Sequence, residues 1–358
     1  MPGVPVPVPA DRALPLPGQA GLPLMAGGPV LSAVVFVVAA TVSLAFSAVL
    51  ATRLERLGAR LGMSEAMLGL VAALAADAPE ITSAVAATAS GQHDVGAGVV
   101  LGSNAFNLAA LLGLGAVVAG RITVHRRVIL LEGAVAVWIA AVSVAMVAGA
   151  IGPPAGMLLL AVILAPHLVL SAVHPRDRDR LPLPRRWREW LCEAVLEEEL
   201  ELVAAISPRK GRAPDVAIAA VAGVAVVLAS VVMERTAVAV GARYAVPGIV
   251  VGAVVLAAVT SLPNAVAAVY LARRGRGSAT LSVALNSNTL NVLAGLFAPA
   301  LAIGIGAPSG GAVVVAAWYA GLTLLTVVLA LAGWGLGRRA GVFIIAGYVA
   351  LVALLIAR

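Results

Sequence analysis

Two carboxylates, Asp77 and Glu80, stand three residues apart in the run Ala-Asp-Ala-Pro-Glu, inside a stretch that is otherwise almost wholly apolar. Ionisable groups are expensive in such surroundings and therefore few, so each is a candidate for function. Three apart on a helix, they lie on one side and can share one cation. Hard cations take oxygen ligands, and further hydroxyl and amide oxygens come from Ser103 and Asn107 and, much later in the chain, from Thr260, Ser261, Asn264, Ser287 and Asn291. Taken singly, each of these has a bland alternative: a carboxylate satisfied by neighbouring donors, or a hydroxyl or amide that only ties two helices together.

Recurrence separates them from that background. Residues 77–112 align without gaps on residues 261–296 at a constant offset of 184, with 11 identities in 36 positions. Several identities are Ala, Val or Leu, which any apolar helix supplies. The informative ones are Pro79 with Pro263, Gly91 with Gly275, Ser103 with Ser287, Asn104 with Asn288 and Asn107 with Asn291. Each proline removes a backbone donor inside a hydrophobic run, so a helix break is predicted there. Polar backbone freed at membrane depth is tolerated only where protein buries it or it lines a polar cavity, and transporters use such breaks to hold ions. Each proline is followed 24 residues later by Ser-Asn-x-x-Asn.

The elements that must position these residues are transmembrane helices. The chain is 61% hydrophobic and 11% charged, with a mean hydropathy of +1.04, outside the usual range of a soluble domain. Apolar runs long enough to cross a hydrocarbon core recur near residues 29–52, 65–89, 95–119, 127–149, 154–174, 214–233, 247–271, 279–304, 311–334 and 341–357. Their richness in Ala, Val, Leu and Gly suits helices packed through small side chains rather than alternating barrel strands. The predicted class is all-α membrane, ten transmembrane helices in two inverted five-helix repeats. The expected organisation is a flexible Pro-rich tail over 1–28, a first five-helix half over 29–174, a cytoplasmic loop over 175–213 and a second half over 214–358. Five spans per half is an odd number, so the second copy of the repeat enters the membrane with the opposite orientation.

Charge placement supports this arrangement. Arg53, Arg56 and Arg60 follow the first span, Arg121, Arg126 and Arg127 the third, and nine Lys or Arg from Arg176 to Arg212 the fifth. Arg273, Arg274 and Arg276 follow the seventh span and Arg338 and Arg339 the ninth, whereas the connections after spans two, four and eight carry no Lys or Arg. Arg235 and Arg243 after the sixth weaken the alternation. The positive-inside rule then puts both termini outside the cytoplasmic membrane, and it accounts for the net charge of +7 without nucleic acid. The tail lacks a compact basic region and cleavage site, so the first span is expected to be retained. The single cysteine, Cys192, can form no internal disulfide.

The motifs resemble the two α-repeats of the calcium/cation antiporter superfamily, which includes the sodium/calcium exchangers. Gly102, Ser103, Asn104, Ala105, Phe106 and Asn107 match that family's Gly-Ser-Asn-x-Phe-Asn, and Thr260, Ser261, Leu262 and Pro263 match its Thr-Ser-x-Pro. The resemblance places α-repeat 1 over 65–119 and α-repeat 2 over 247–304. It implies that Glu80 is the principal acidic ligand, that Ser103, Asn107, Thr260, Ser261 and Ser287 contribute oxygens, and that spans 1 and 6 move against the other eight. Departures are specific. Ala76 and Asp77 replace the family's Thr and Ser, Asn264 stands where it has its second essential Glu, and Asn291 where many sodium/calcium exchangers have Asp. At most two carboxylates remain, both in the first repeat. They match one calcium ion or one or two monovalent ions, and not the three-carboxylate set expected for several sodium ions against one calcium. Carboxylates take protons as readily as metal ions, so proton coupling stays open.

The sequence thus reads as a secondary cation antiporter using alternating access, with calcium, sodium or protons as substrates, the bilayer as its solvent, no resident cofactor and no nucleic-acid partner. A proton- or monovalent-coupled exchanger that does not use calcium is one alternative, and a non-transporting membrane scaffold or regulator is another. An enzyme is disfavoured, since there is no His-Glu-x-x-His motif and no Gly-rich phosphate loop. Among other ionisable residues, Glu132 lies near a span end, Glu234 and Arg235 read as interfacial, and His167 beside Pro166 reads as structural before it reads as a proton relay. Trp187, Trp190, Leu191, Ala194 and Val195 have helical spacing beside Arg185, Arg186 and Arg188, a pattern suited to an anionic membrane surface. Glu197, Glu198, Glu199 and Glu201 read as a solvated face.

Overall fold

The computed structural model describes residues 28–63, 65–172, 184–186, 189–191, 193, 211–307 and 309–357. Nearly all of the Pro-rich tail, Cys192, Trp187, Arg188, the Glu197–Glu201 cluster and most of the loop around them lie outside the described residues.

The described chain is mostly helical. In order come α1 (Pro29–Leu61), α2 (Glu65–Ala76), α3 (Ala78–Ala89), α4 (His93–Ala119), α5 (Arg126–Val147) and α6 (Pro153–Ala172). After the loop follow α7 (Ala213–Arg243), α8 (Gly248–Thr260), α9 (Leu262–Arg273), α10 (Gly277–Ile303), α11 (Gly310–Gly333) and α12 (Arg338–Ile356). Among the described residues seven helices are long and apolar enough to cross a membrane, or nine if each bent pair is one span, and α6 holds a shorter apolar stretch, Pro153–Val169. Among the described residues a two-stranded pairing joins the helices: β1 (Arg121–Thr123) pairs antiparallel with β2 (Gly335–Gly337), clipping the end of α4 to the start of α12.

Both bends fall where proline predicted them, but two residues earlier. The chain turns by 55° between α2 and α3 and by 50° between α8 and α9. Asp77 and Ser261 occupy the breaks, and Pro79 and Pro263 sit in the first turns of the helices that follow. A first-turn proline loses no intrahelical bond, because the first amides of a helix have no carbonyl to reach. The matched glycines have a backbone explanation: Gly91 (φ +80°) and Gly275 (φ +73°) turn the chain after α3 and α9 in a left-handed conformation that side chains disfavour.

The sixth predicted span, α7, is longer than its hydropathy suggested. The apolar run stops at Met233, yet α7 continues to Arg243, and Glu234 is 1% exposed inside it. The interfacial reading of Glu234 is therefore corrected: the charge interrupts the hydropathy but not the helix, whose neighbours cover the side chain. Arg235, next on the helix, is exposed.

Burial ranks the helices. In their most apolar stretches α4 is 83% buried and α10 72%, whereas α1 is 22% and α7 33%. The first two form the centre, and the last two lie outside, packed mainly on each other. Ser43 and Ser230 share a 2.7 Å hydroxyl contact midway along that pair, and Arg53 meets Asp215 at 2.7 Å at one end. At the centre, α4 and α8 touch backbone to backbone. A Cβ on Gly98 would lie 2.9 Å from Ala253 N and 3.0 Å from Ile249 O, and one on Gly102 would collide with Ala253. Small residues four apart allow that approach.

Candidate cation site

The two breaks and the two Ser-Asn-x-x-Asn stretches meet at the centre of the molecule. Of the nine predicted site residues, Asp77, Glu80, Ser103, Asn107, Thr260, Ser261 and Asn291 are 0% exposed, Ser287 1% and Asn264 5%. Asp77 sits in the first break and Glu80 one turn on, in the first turn of α3. Ser103 and Asn107 lie on α4, Thr260 ends α8, Ser261 sits in the second break, Asn264 lies in the first turn of α9, and Ser287 and Asn291 are on α10.

Each carboxylate of the first segment is held by donors from the second. Glu80 accepts a hydrogen bond from the Ser261 hydroxyl at Oε1 and another from the Asn291 amide at Oε2. Asp77 Oδ1 accepts from Asn264 Nδ2 at 2.6 Å and from Ser287 Oγ at 2.9 Å. Ser287 Oγ is also within 3.3 Å of the side-chain amides of Asn264 and Asn107. These bonds tie side chains of the second segment to both carboxylates of the first, and they are strongest when the acceptor is ionised.

Two asparagines that sequence reasoning noted only as matched positions complete the network. Asn104 Nδ2 donates to the Asn288 carbonyl at 3.0 Å, and Asn288 Nδ2 donates back to the Asn104 carbonyl at 3.1 Å. Their side-chain oxygens repeat the reciprocity: Asn107 Nδ2 reaches Asn288 Oδ1 at 3.0 Å, and Asn291 Nδ2 reaches Asn104 Oδ1 at 3.3 Å. Equivalent positions of the two segments thus bond each other in pairs. The signal was present in the repeat, since both asparagines are among its identities. Tyr319 of α11, fully buried and hydrogen-bonded to Asn104, had no comparable signal.

Two predicted ligands stand apart from the network. Thr260 donates to Leu256 O in its own helix at 2.9 Å, and the Ser103 hydroxyl has no partner. Three more buried oxygens here are likewise without a hydrogen bond: Asp77 Oδ2, Asn107 Oδ1 and Asn291 Oδ1. Buried polar atoms are ordinarily paired, and four unpaired oxygens, one of them on a carboxylate and three on hydroxyl or amide side chains, have the chemistry of a cation's ligand set. The wide i→i+5 turns Leu108–Leu114 and Asn291–Phe297 follow directly on this place in α4 and α10, and such turns are common at functional sites. Among the described residues no group of three His, Cys, Asp or Glu side chains comes together, so the formal charge at this site is that of Asp77 and Glu80.

Other proteins share this architecture. No curated protein matches the chain by sequence. Among solved structures, native YfkE superposes with a TM-score of 0.60 at 18% identity, over 95% of this chain and 98% of that one. The H+/Ca2+ exchanger CAX gives 0.63 at 15% identity, over 92% and 84%. The sodium-calcium exchanger NCX_Mj, soaked with Na+ and Sr2+, gives 0.53 at 18% identity, over 90% and 98%. At these identities the likeness speaks for the fold. A family model described as sodium/calcium exchanger protein matches residues 31–166 and 201–357, which include both broken helices and every residue of the network above. With that match and its apolar helices, this chain is an integral, multi-pass membrane protein of the sodium/calcium exchanger family.

Proposed function

We propose that the chain is a secondary cation antiporter that binds its ions between the two repeated segments and exposes them to either side by alternating access. The observation that carries this reading is the pair of buried carboxylates, Asp77 and Glu80, bonded from the opposite segment, with Asp77 Oδ2 and three oxygens of Ser103, Asn107 and Asn291 lacking partners. Asp77, Glu80, Ser103, Asn107, Ser261, Asn264, Ser287 and Asn291 would supply oxygens to the ion. Thr260 joins them if its hydroxyl, while donating to Leu256 O, turns a lone pair inward.

In this reading the segments carrying the site form one ten-span body of two inverted halves, with both termini outside the cell membrane, as the arginine distribution indicates. α1 and α7 are the mobile pair. They lie at the periphery, 22% and 33% buried in their most apolar stretches, and hold one another through Ser43–Ser230 and Arg53–Asp215. The side-chain amides of Asn264 and Asn291 bond the carboxylates through nitrogen, so an arriving cation displaces those donors and meets the amide oxygens after a flip. Two negative charges suit one divalent ion or two monovalent ones. That same count favours, as a second reading, an exchanger of protons or sodium that does not carry calcium.

The test is cation-dependent thermal stabilisation of the purified protein, followed by fluxes in vesicles under calcium, sodium, potassium and proton gradients. Stabilisation by calcium that Glu80→Gln removes, together with calcium flux against a counter-ion, is expected. Stabilisation by sodium alone selects the second reading. A folded protein that neither binds nor moves any of these cations would be a scaffold, and the proposal would fall.

A further inference from the structure

A second buried ionisable pair lies away from the cation site. Glu132 of α5 faces His167 of α6 with Oε1 3.8 Å from Nε2, and their side chains are 2% and 10% exposed. The helices are pinned nearby, where Trp138 Nε1 donates to Leu159 O at 2.9 Å. At 3.8 Å the two groups are not hydrogen-bonded to each other, and Glu132 Oε1 has no hydrogen-bond partner. α5 also packs against the first half of α10, where Ser278 and Ser282, one turn apart and buried, have hydroxyls without partners. Ser282 precedes Ser287 by five residues, about 7.5 Å of helix rise and roughly 140° round the helix, so the two face different neighbours. Ser287 in turn donates to Asp77. Ser278 opens α10 beside the β1–β2 clip, and Glu132 lies in the second turn of α5, which starts just after β1, the side that the arginine distribution assigns to the cytoplasm.

We propose that Glu132 and His167 form a proton-binding station, separate from the cation site, through which protons pass between the cytoplasmic side and the carboxylates. The inference rests on the antiporter reading above. A carboxyl and an imidazole that hold one proton between them are neutral as a pair, whichever member carries it. A proton taken up at one member and released from the other returns the pair to that neutral state, so no isolated charge is left in the low-dielectric interior. Intramembrane carboxylates and histidines are the groups from which proton relays are built. The other ionisable residues of the packed elements stand at helix starts: His125, Arg126 and Arg127 at the start of α5, with Arg127 paired to Glu193, and Glu65 as the first residue of α2. Of the remaining neighbours, α10 brings no titratable side chain and α11 only Tyr319, which is engaged with Asn104. The cation site surrounds its two carboxylates with hydroxyl and amide groups of Ser261, Asn264, Ser287 and Asn291, and this distinguishes it from the station, a carboxyl facing an imidazole.

The full-length protein in vesicles tests the station through calcium flux driven by a pH gradient, with calcium-dependent thermal stabilisation measured on the same preparations. Glu132→Gln and His167→Gln are each expected to slow proton-driven flux by about tenfold or more and to flatten its pH profile. The calcium midpoint of stabilisation should stay unchanged, and Glu132→Asp should restore part of the flux. Wild-type flux and pH profile in either folded variant overturns the proposal, as does calcium flux that ignores a proton gradient in the wild type. Loss of calcium stabilisation in the wild type would instead count against the cation site itself, so the two failures are distinguishable. Should Glu132→Gln not fold, His167→Gln decides alone.

Discussion

Ser103 is fully buried in α4 and its hydroxyl bonds to nothing, whereas Ser287, its counterpart in α10, bonds Asp77. A side chain that contributes no bond can be truncated cheaply, so Ser103→Ala should change thermal stability by less than about 1 kcal/mol. If its oxygen ligates the cation, the same change should weaken cation-dependent stabilisation by about tenfold. Equal loss in both measurements would remove Ser103 from the ligand set. Glu80→Gln keeps the shape but removes half the formal charge, and should lower cation affinity by on the order of a hundredfold. Asn104 and Asn288 bond each other reciprocally, so alanine substitutions there should be non-additive by roughly 0.5–3 kcal/mol in a double-mutant cycle. At this scale the carboxylates were legible because charge in an apolar run is conspicuous, and the hydroxyls because they recur. Tyr319 was not, since a tyrosine in an apolar span looks the same whether its hydroxyl has a partner there or reaches a membrane interface. Glu234 was misplaced for a related reason: hydropathy reports where apolar residues stop, not where a helix does.

The two bent spans depend on proline to end one helix and begin another, and on glycine to bring α4 against α8. A methyl group at Gly102 would meet the Ala253 backbone, which has no flexible end to move aside. Gly102→Ala should therefore destabilise the protein by about 1–3 kcal/mol or more and weaken cation binding by misplacing Ser103. A well-folded variant with wild-type affinity would show that α4 and α8 need not touch for the site to form. The bends themselves were readable from Pro79 and Pro263, though proline marks the first turn of the new helix rather than the gap before it. Neither the wide turns after Asn107 and at Asn291 nor the β1–β2 clip was readable. Both arise from how neighbouring segments pack, and residues such as Arg-Ile-Thr and Gly-Leu-Gly carry no strand pattern of their own at three residues each.

At the scale of the whole molecule the ledger of charge governs what exchange can look like. Asp77 and Glu80 bring two negative charges, so the site is neutral with one divalent ion and neutral again with two protons or two sodium ions. Exchange in that ratio moves no net charge across the membrane. Calcium flux into vesicles should accordingly be insensitive to an imposed membrane potential, and a flux that rises or falls steeply with voltage would show that further charge travels with the ions. At this scale the helical, multi-pass membrane class was legible, because hydrophobic length acts on every span at once, and seven to nine of the described helices or bent pairs are long and apolar enough to cross a membrane. The exchanger family of the chain agrees with that class.

The reciprocal bonds between the two segments bear on how the protein is made. Asp77, Glu80 and Asn104 leave the ribosome long before Asn264, Asn288 and Asn291 exist, so for a time the early spans must sit in lipid with strongly polar atoms and no mates. Biogenesis then hinges on late pairing rather than on stepwise completion. Two half-chains severed between residues 173 and 183 and expressed together should reassemble into one working protein. Either half produced alone should be cleared by membrane proteases.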